Sequence, residues 1–421
     1  MANNNENKIL NVPNLRFPEF SGEWSSQPLT DFMNFKNGLN PDAKRFGRGT
    51  KFISVMDILN NQYICYDNIR ASVELQDGDI ETYGVDYGDI LFQRSSETLE
   101  DVGRANVYLD SKPAIFGGFV IRGKSKGNYN PLFFRYLLAS PTARKRIIVK
   151  GAGAQHFNIG QDGLSKVSLD IPRLSEQEKI GKLLQCVDAR IATQNKIIED
   201  LKKLKSAIIE KLFCSPKNRQ PEVRLHGFSD NWQIIRLSEI CHRIRCKNTE
   251  EQCKRVLTIA AQYGLVSQEE FFNKNVASEN LSGYYLLQNG DFAYNKSYSG
   301  DYVWGTVKRL DNYEQGVLSP LYICFRPNSA KVDSDFLVYY FESKKWHKAV
   351  ADIAGEGARN HGLLNISVID YFNTIHCIPS MDEQKQIAQI MSALLSKIAR
   401  EQRMLNCYTT QRQYLLRQMF I

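Results

Sequence analysis

The chain has 421 residues, 43% of them hydrophobic and 24% charged, and a formal net charge of +8, which is compatible with a polyanionic partner without requiring one. No apolar run approaches the roughly 20 residues of a membrane helix, and the polar start "MANNNENKIL" lacks the apolar segment of a signal peptide, so a soluble cytoplasmic protein is expected. The nine cysteines contain no C-x-x-C, and Cys241, Cys246 and Cys253 beside His242 fit no common zinc spacing; reduced thiols and no metal are expected.

In chain order, the first feature is "PNLRFPEFSGEW" at 13–24, which returns as "PEVRLHGFSDNW" at 221–232. Pro13, Arg16, Phe20, Ser21 and Trp24 match Pro221, Arg224, Phe228, Ser229 and Trp232. Next, "YGDILFQRS" (87–95) matches "NGDFAYNKS" (289–297), and "FFRYLLAS" (133–140) matches "FLVYYFES" (336–343). Finally "IPRLSEQEKIGKLL" from 171 matches "IPSMDEQKQIAQIM" from 378. The order is kept at an offset of about 205 residues, and small drifts mark insertions and deletions.

The repeat divides the chain into a first domain at 12–172, a helix at 173–214, a linker at 215–220, a second domain at 221–379 and a second helix at 380–421. Pro216 and Pro221 stop the first helix. Within each domain, short β-rich runs such as "GDILFQ", "GFVIR", "VLTIAA" and "PLYICF" are punctuated by Gly, Asn and Asp, and one amphipathic helix is expected near 131–149 and 334–351. The fold class is therefore α/β (α+β): two globular domains in tandem pseudo-repeat, each followed by a long helix. The tryptophan-bearing openings are expected to pack into the domain edges.

Ser175 with Glu178 reads as a capping box for the first helix, and Asp382 holds the matching cap position in the second. A 4–3 apolar spacing runs through Ile180, Leu184, Val187, Ile191, Gln194, Ile198, Leu201, Lys205, Ile208 and Leu212. It runs again through Ile387, Met391, Leu394, Ile398, Glu401, Leu405, Tyr408, Arg412, Leu415 and Met419, and both runs break at the same two places. Such a period indicates a coiled coil. Polar seam residues set orientation: an antiparallel pair would bring Lys205 to Glu401 and Gln194 to Arg412, whereas a parallel pair would oppose Lys205 and Arg412. The antiparallel arrangement is expected, with a seam of roughly 50 Å at 1.5 Å per residue.

Two domains, each followed by a long helix opening on Pro-x-[Leu/Met]-x-Glu-Gln, resemble the specificity (S) subunit of type I restriction–modification systems, as do the two Trp-bearing openings and "EGARNHGLLNIS" near 355–367. The resemblance covers essentially the whole chain. It implies two target recognition domains, each reading half of a split, asymmetric DNA sequence, with the helices as a spacer. It implies two methyltransferase (M) subunits docked on the chain, restriction (R) subunits in the full complex, S-adenosylmethionine, ATP and Mg on those partners, and no catalysis by the chain itself.

The residues agree on the last point. "NPLF" (130–133) and "SPLY" (319–322) approach the amino-methyltransferase motif, but both lack its second proline, and Phe119, not Asn130, aligns with Tyr322. Glu383-Gln384-Lys385 could suggest a nuclease element, yet it lies on a first helical turn where acids suit the dipole. Neither a Gly-rich cofactor loop after a strand nor a P-loop occurs. Two alternatives are a chain with its own DNA methyltransferase activity and a coiled-coil protein-interaction scaffold.

DNA contact requires cations near phosphates and polar side chains at base edges. The first domain offers Lys44, Arg45, Arg48 and Lys51 in "DAKRFGRGTK", then Arg94, then Arg122, Lys124 and Lys126, and finally Gln155 and His156 on a glycine-rich frame. The second offers Arg243, Arg245 and Lys247, then Lys296 as the repeat partner of Arg94, and Arg359, Asn360 and His361.

Overall fold

The computed structural model describes residues 10–421 apart from 154, 261–262, 273–279, 298–301 and 355–362. Two compact units form: Met1–Lys196 with Gln402–Ile421, and Ile197–Glu401. Each long helix therefore begins in one unit and ends in the other.

The first unit closes on itself through an antiparallel pair, Ser25–Pro28 with Ser168–Ile171, which ties the start of the domain to its end. Its main sheet has four strands in the order Met33–Asn37, Val120–Ser125, Ile90–Gln93 and Ala105–Val107. A second sheet runs Ala71–Val73, Phe46–Ile53, Ala114–Phe116 and Gly84–Val85, with one parallel pairing, Phe52 beside Ile115.

The second unit repeats this plan. Gln233–Arg236 pairs with Ile375–Ile378, and a four-stranded sheet runs Cys241–Arg243, Ile323–Pro327, Phe292–Asn295 and Thr306–Arg309 in the same order as its counterpart. Tyr285–Gln288 pairs with Gln315–Leu318, and Val256 forms a parallel bridge to Val317 as Phe52 does to Ile115. The sequence repeat is thus a repeat of topology.

Local chemistry explains the matched turns. Gly88 and Gly290 sit at φ +89° and +87°, which only glycine adopts without cost. The next residues, Asp89 and Asp291, are buried and accept the backbone N–H of Asp86 at 3.1 Å and of Gln288 at 2.7 Å. These carboxylates brace the turn that launches the central strand.

The single helices expected near 131–149 and 334–351 are each two helices. Pro131–Ala139 ends at Ser140, whose hydroxyl caps the next helix, Pro141–Ile148, by accepting from Ala143 N at 3.3 Å. Pro141 fixes this break because it has no N–H to continue the first helix. In the second unit Ser334–Glu342 and His347–Ala351 are likewise separate.

The long helices span Leu174–Leu212 and Met381–Gln418. Neither uses the expected cap. Ser175 lies inside the first helix, whose opening carbonyl is that of Arg173, accepting from Glu176 N and Gln177 N. Asp382 lies inside the second, which Ser380 caps through its carbonyl to Gln384 N at 2.9 Å and its hydroxyl to Glu383 N at 3.4 Å.

Every position of both apolar seams is buried or half-buried. In the first unit's core, Ile180, Leu184 and Val187 from the start of one helix pack with Leu415, Leu416, Met419 and Phe420 from the end of the other. In the second unit's core, Ile209 and Leu212 pack with Ile387, Ala388 and Met391. The pairing is antiparallel in both.

The charged seam residues also make ionic contacts. Arg412 donates to Asp188 at 2.5 Å. Lys205 pairs with Glu342 of the neighbouring domain helix at 2.6 Å, and Glu401 with Lys397 at 2.5 Å.

Candidate nucleic-acid interface

The opening segment and the helix start of each unit form a clamp. Arg16 donates through Nε and Nη2 to the two oxygens of Glu176, both at 2.8 Å, and Arg224 does the same to Glu383 at 3.0 and 2.9 Å. These hydrogen bonds raise the pKa of both guanidinium groups. The adjacent Gln177 donates to Pro172 O at 3.0 Å and accepts from Asn130 N at 2.9 Å; Gln384 donates to Pro379 O at 3.0 Å and accepts from Asp333 N at 2.8 Å. The repeated Glu-Gln phrase therefore fastens the long helix to its domain. Sequence reading credited these acids to the helix dipole, although the matched Arg and Glu at repeat positions were the available signal. Glu383 is engaged in this pair, and Asn130 caps the helix Pro131–Ala139. Among the described residues, no group of three or more His, Cys, Asp or Glu could hold a metal.

With the scaffold set, the sequence candidates separate. Arg45 donates to Glu74 O and pairs with Asp79, while Lys51 donates to Ile69 O at 2.7 Å; both brace the loop. Arg122 is buried and donates to Gly84 O, and burial lowers its pKa. Lys124 pairs with Asp86 and reaches Asp89 at 3.5 Å, the position at which Arg326 binds Asp291 in the second unit. Lys126 donates to Thr30 O at 2.6 Å. These cations hold strands together, because a carbonyl or carboxylate lies within reach of each.

Others stay at the surface. Lys44 is exposed on the short turn Ala43–Arg45, and Arg48 is exposed with a surface partner, Glu74, at 2.7 Å. Arg94 leaves the central strand and donates to Gly118 O at 3.3 Å. Beside it, Phe157–Asn158 pairs with Ser95–Ser96 and presents the exposed Gln155 and His156. The backbone of Arg94 accepts from Ile159 N at 2.9 Å. Lys44, Arg94, Gln155 and His156 thus project from loops and strand ends, where side chains can reach a ligand.

The second unit rebuilds the frame. Lys296 O accepts from Leu364 N at 3.0 Å, and Ser297 bridges to Leu363 as Ser95 pairs with Asn158. Arg359, Asn360 and His361 precede that bridge and lie outside the described residues. Arg243, Arg245 and Lys247 are exposed on and after the strand Cys241–Arg243.

Sequence reading missed an apolar groove of about 430 Å³ in the first unit, which includes Leu39, Pro41, Phe46, Phe52, Met56 and Phe119. In its lining, the Asn40 side chain lies over Gly118, where a Cβ would come within 1.8 Å of Asn40 Oδ1. The groove is lined by Pro41 and Phe46, which flank the turn bearing Lys44 in sequence, and by Gly118, whose carbonyl accepts from Arg94.

The fold is a tandem α+β repeat in which each domain is followed by a long helix. The family model for the type I restriction modification DNA specificity domain matches residues 21–203 and 229–406. The chain therefore belongs to the type I restriction–modification specificity family and is a specificity subunit of that kind. It is 22% identical over 411 residues to the type I restriction enzyme MjaVIII specificity subunit of Methanocaldococcus jannaschii, covering 92% of this chain and 89% of that one. It is 24% identical over 238 residues to the putative MjaX specificity subunit of the same organism, a match spanning 55% of each chain. The type I restriction-modification S subunit from M. genitalium shares its fold, with a TM-score of 0.54 at 15% identity over 97% of this chain and 99% of that one. So does a chain from a structural study of complex assembly and conformational transition in the type I system, with a TM-score of 0.55 at 13% identity over 93% and 96%.

Proposed function

We propose that each unit reads one half of a split, asymmetric DNA target, and that the chain is a non-catalytic reader and scaffold for two methyltransferase subunits. The observation that carries this reading is the recurrence of Arg94 and Lys296 at one strand position, each beside an inserted loop of different sequence. A common frame with unlike loops suits two half-sites of unlike sequence. Lys44, Arg48, Arg243, Arg245 and Lys247 supply cations for phosphates, while Arg94, Gln155, His156, Lys296 and the loop bearing Arg359, Asn360 and His361 supply groups for base edges.

Methyl transfer and restriction belong in this reading to partner subunits, which carry S-adenosylmethionine, ATP and Mg, and the complex works in the cytoplasm. No helix among the described residues is long and apolar enough to cross a membrane.

The test is DNA binding by the chain with its methyltransferase partner across a salt series. A steep fall of affinity with salt, a sequence preference and no methyl transfer by the chain alone are expected. Binding indifferent to both salt and sequence would leave the interaction-scaffold reading.

A further inference from the structure

The four-stranded sheets fix a correspondence that the sequence repeat left out of register. In the first unit Ile121 lies opposite Phe92; in the second Ile323 lies opposite Tyr294. Phe92 and Tyr294 are repeat partners, two residues before Arg94 and Lys296. Counting back two residues from Ile121 and Ile323 gives Phe119 and Leu321. Phe119 is therefore the counterpart of Leu321, not of Tyr322 as the sequence suggested. Arg94 N donates to Phe119 O at 2.9 Å, which confirms the register in the first unit.

Both side chains are 67% exposed. One large apolar residue left in water is ordinary, but the same exposure at the matching turn position in two diverged domains asks for a shared cause. Phe119 O accepts from Arg94 N in the first unit, and each apolar residue lies on the turn just before a sheet strand, Val120–Ser125 or Ile323–Pro327. Phe119 also lines the apolar groove, together with Pro41 and Phe46 on either side of the turn bearing Lys44 in sequence.

We infer that Phe119 and Leu321 are the apolar base-contacting side chains of the two recognition surfaces, each pressed against the base pairs of its own half-site. Cations on the same edge favour a polyanion over an apolar protein partner. Once phosphates are held by Lys44 and Arg48 in one unit and by Arg243, Arg245 and Lys247 in the other, an apolar side chain on the turn that enters the sheet meets either a thymine methyl in the major groove or a weakened base step. Desolvation against a base is what an exposed Phe or Leu gains from DNA and a lysine does not. The inference rests on the DNA-reading function proposed above and adds which side chains discriminate.

The test uses the purified complex of the chain with its methyltransferase partner. Duplexes carry the sequence that the wild-type complex methylates, together with every single-base-pair variant of it. For Phe119→Ala, discrimination at one or two base pairs of one half-site should fall about tenfold or more, with the other half-site unchanged. Leu321→Ala should give the mirror result. Affinity for unrelated DNA and its salt dependence should stay at wild-type values, because no phosphate contact is removed. Phe119→Leu and Leu321→Phe should keep most of the discrimination, which excludes a folding defect as the cause. Unchanged discrimination in both alanine variants, or equal relaxation of both half-sites by either one, would overturn the inference. A wild-type complex with no sequence preference would instead overturn the DNA-reading function, and this inference with it.

Discussion

Arg16 and Glu176 form a two-pronged ion pair across most of the first domain, and Arg224 with Glu383 repeats it in the second. Glu176 and Glu383 are 2% and 1% exposed, so each carboxylate depends on its arginine for charge compensation. Removing one arginine strands a buried charge, which costs about 3 kcal/mol or more. Arg16→Ala and Arg224→Ala should each lower stability by that order in chemical denaturation. Pairing Arg16→Ala with Glu176→Gln should recover part of the loss, since the stranded charge is then gone.

Lys44 and Arg45 are neighbours with different work. Arg45 is held by Glu74 O and Asp79, whereas Lys44 is exposed on the turn. Arg45→Ala should destabilise the loop. Lys44→Ala should leave stability unchanged while lowering DNA affinity uniformly across sequences and reducing the salt slope by about 1. The two effects are separated by comparing denaturation with a salt series.

Asp188 accepts from Tyr136 Oη at 2.9 Å, Arg135 at 3.3 Å and Arg412 at 2.5 Å, and so joins the domain to both long helices within the first unit. Burial lowers the pKa of Arg135. Asp188→Asn should cost about 3 kcal/mol, because two guanidinium groups lose their shared counter-charge. Hydrogen exchange should quicken first in residues 402–418, the helix end that Arg412 fastens.

His376 is buried between Tyr340 Oη at 3.0 Å and Thr374 Oγ1 at 2.8 Å, and burial pushes its pKa down to about 4. Above the ordinary imidazole value near 6.5, folded and unfolded forms are both neutral and stability is full. As pH falls from about 6.5 to about 4, the unfolded chain binds a proton that the folded unit refuses. Stability should drop by up to about 1.4 kcal/mol per pH unit in that window and level off below it. Trp232, Trp304 and Trp346 lie in this unit against Trp24 alone in the other, so tryptophan fluorescence reports it. His376→Leu, which installs the residue found at the matching Leu169, should flatten this dependence.

Much of this architecture was legible in the residues. The paired openings, the "GD" turns and the twin helix starts carried the duplication, because identical backbone problems were solved by identical residues. The seam spacing carried the long helices, whose apolar positions are buried or half-buried throughout. Helix caps slipped by two residues, since a backbone carbonyl can open a helix without a polar side chain, as at Arg173.

Cation roles were not legible. Arg122 and Lys124 read like Arg94 in sequence, and only the strand register shows Gly84 O and Asp89 waiting for them. The apolar groove was also hidden, because Pro41, Met56 and Phe119 come from distant segments joined by the parallel pairing of Phe52 with Ile115. Leu321 escaped notice because a single exposed leucine has no pattern until its strand partner is known.

The central claim, one half-site per unit, is tested most directly by mapping DNA methylation in cells carrying this chain with its methyltransferase partner. The account predicts a chain-dependent motif of two unlike half-sites separated by a fixed unread gap. No chain-dependent methylation, or methylation at one continuous palindromic motif, would contradict it.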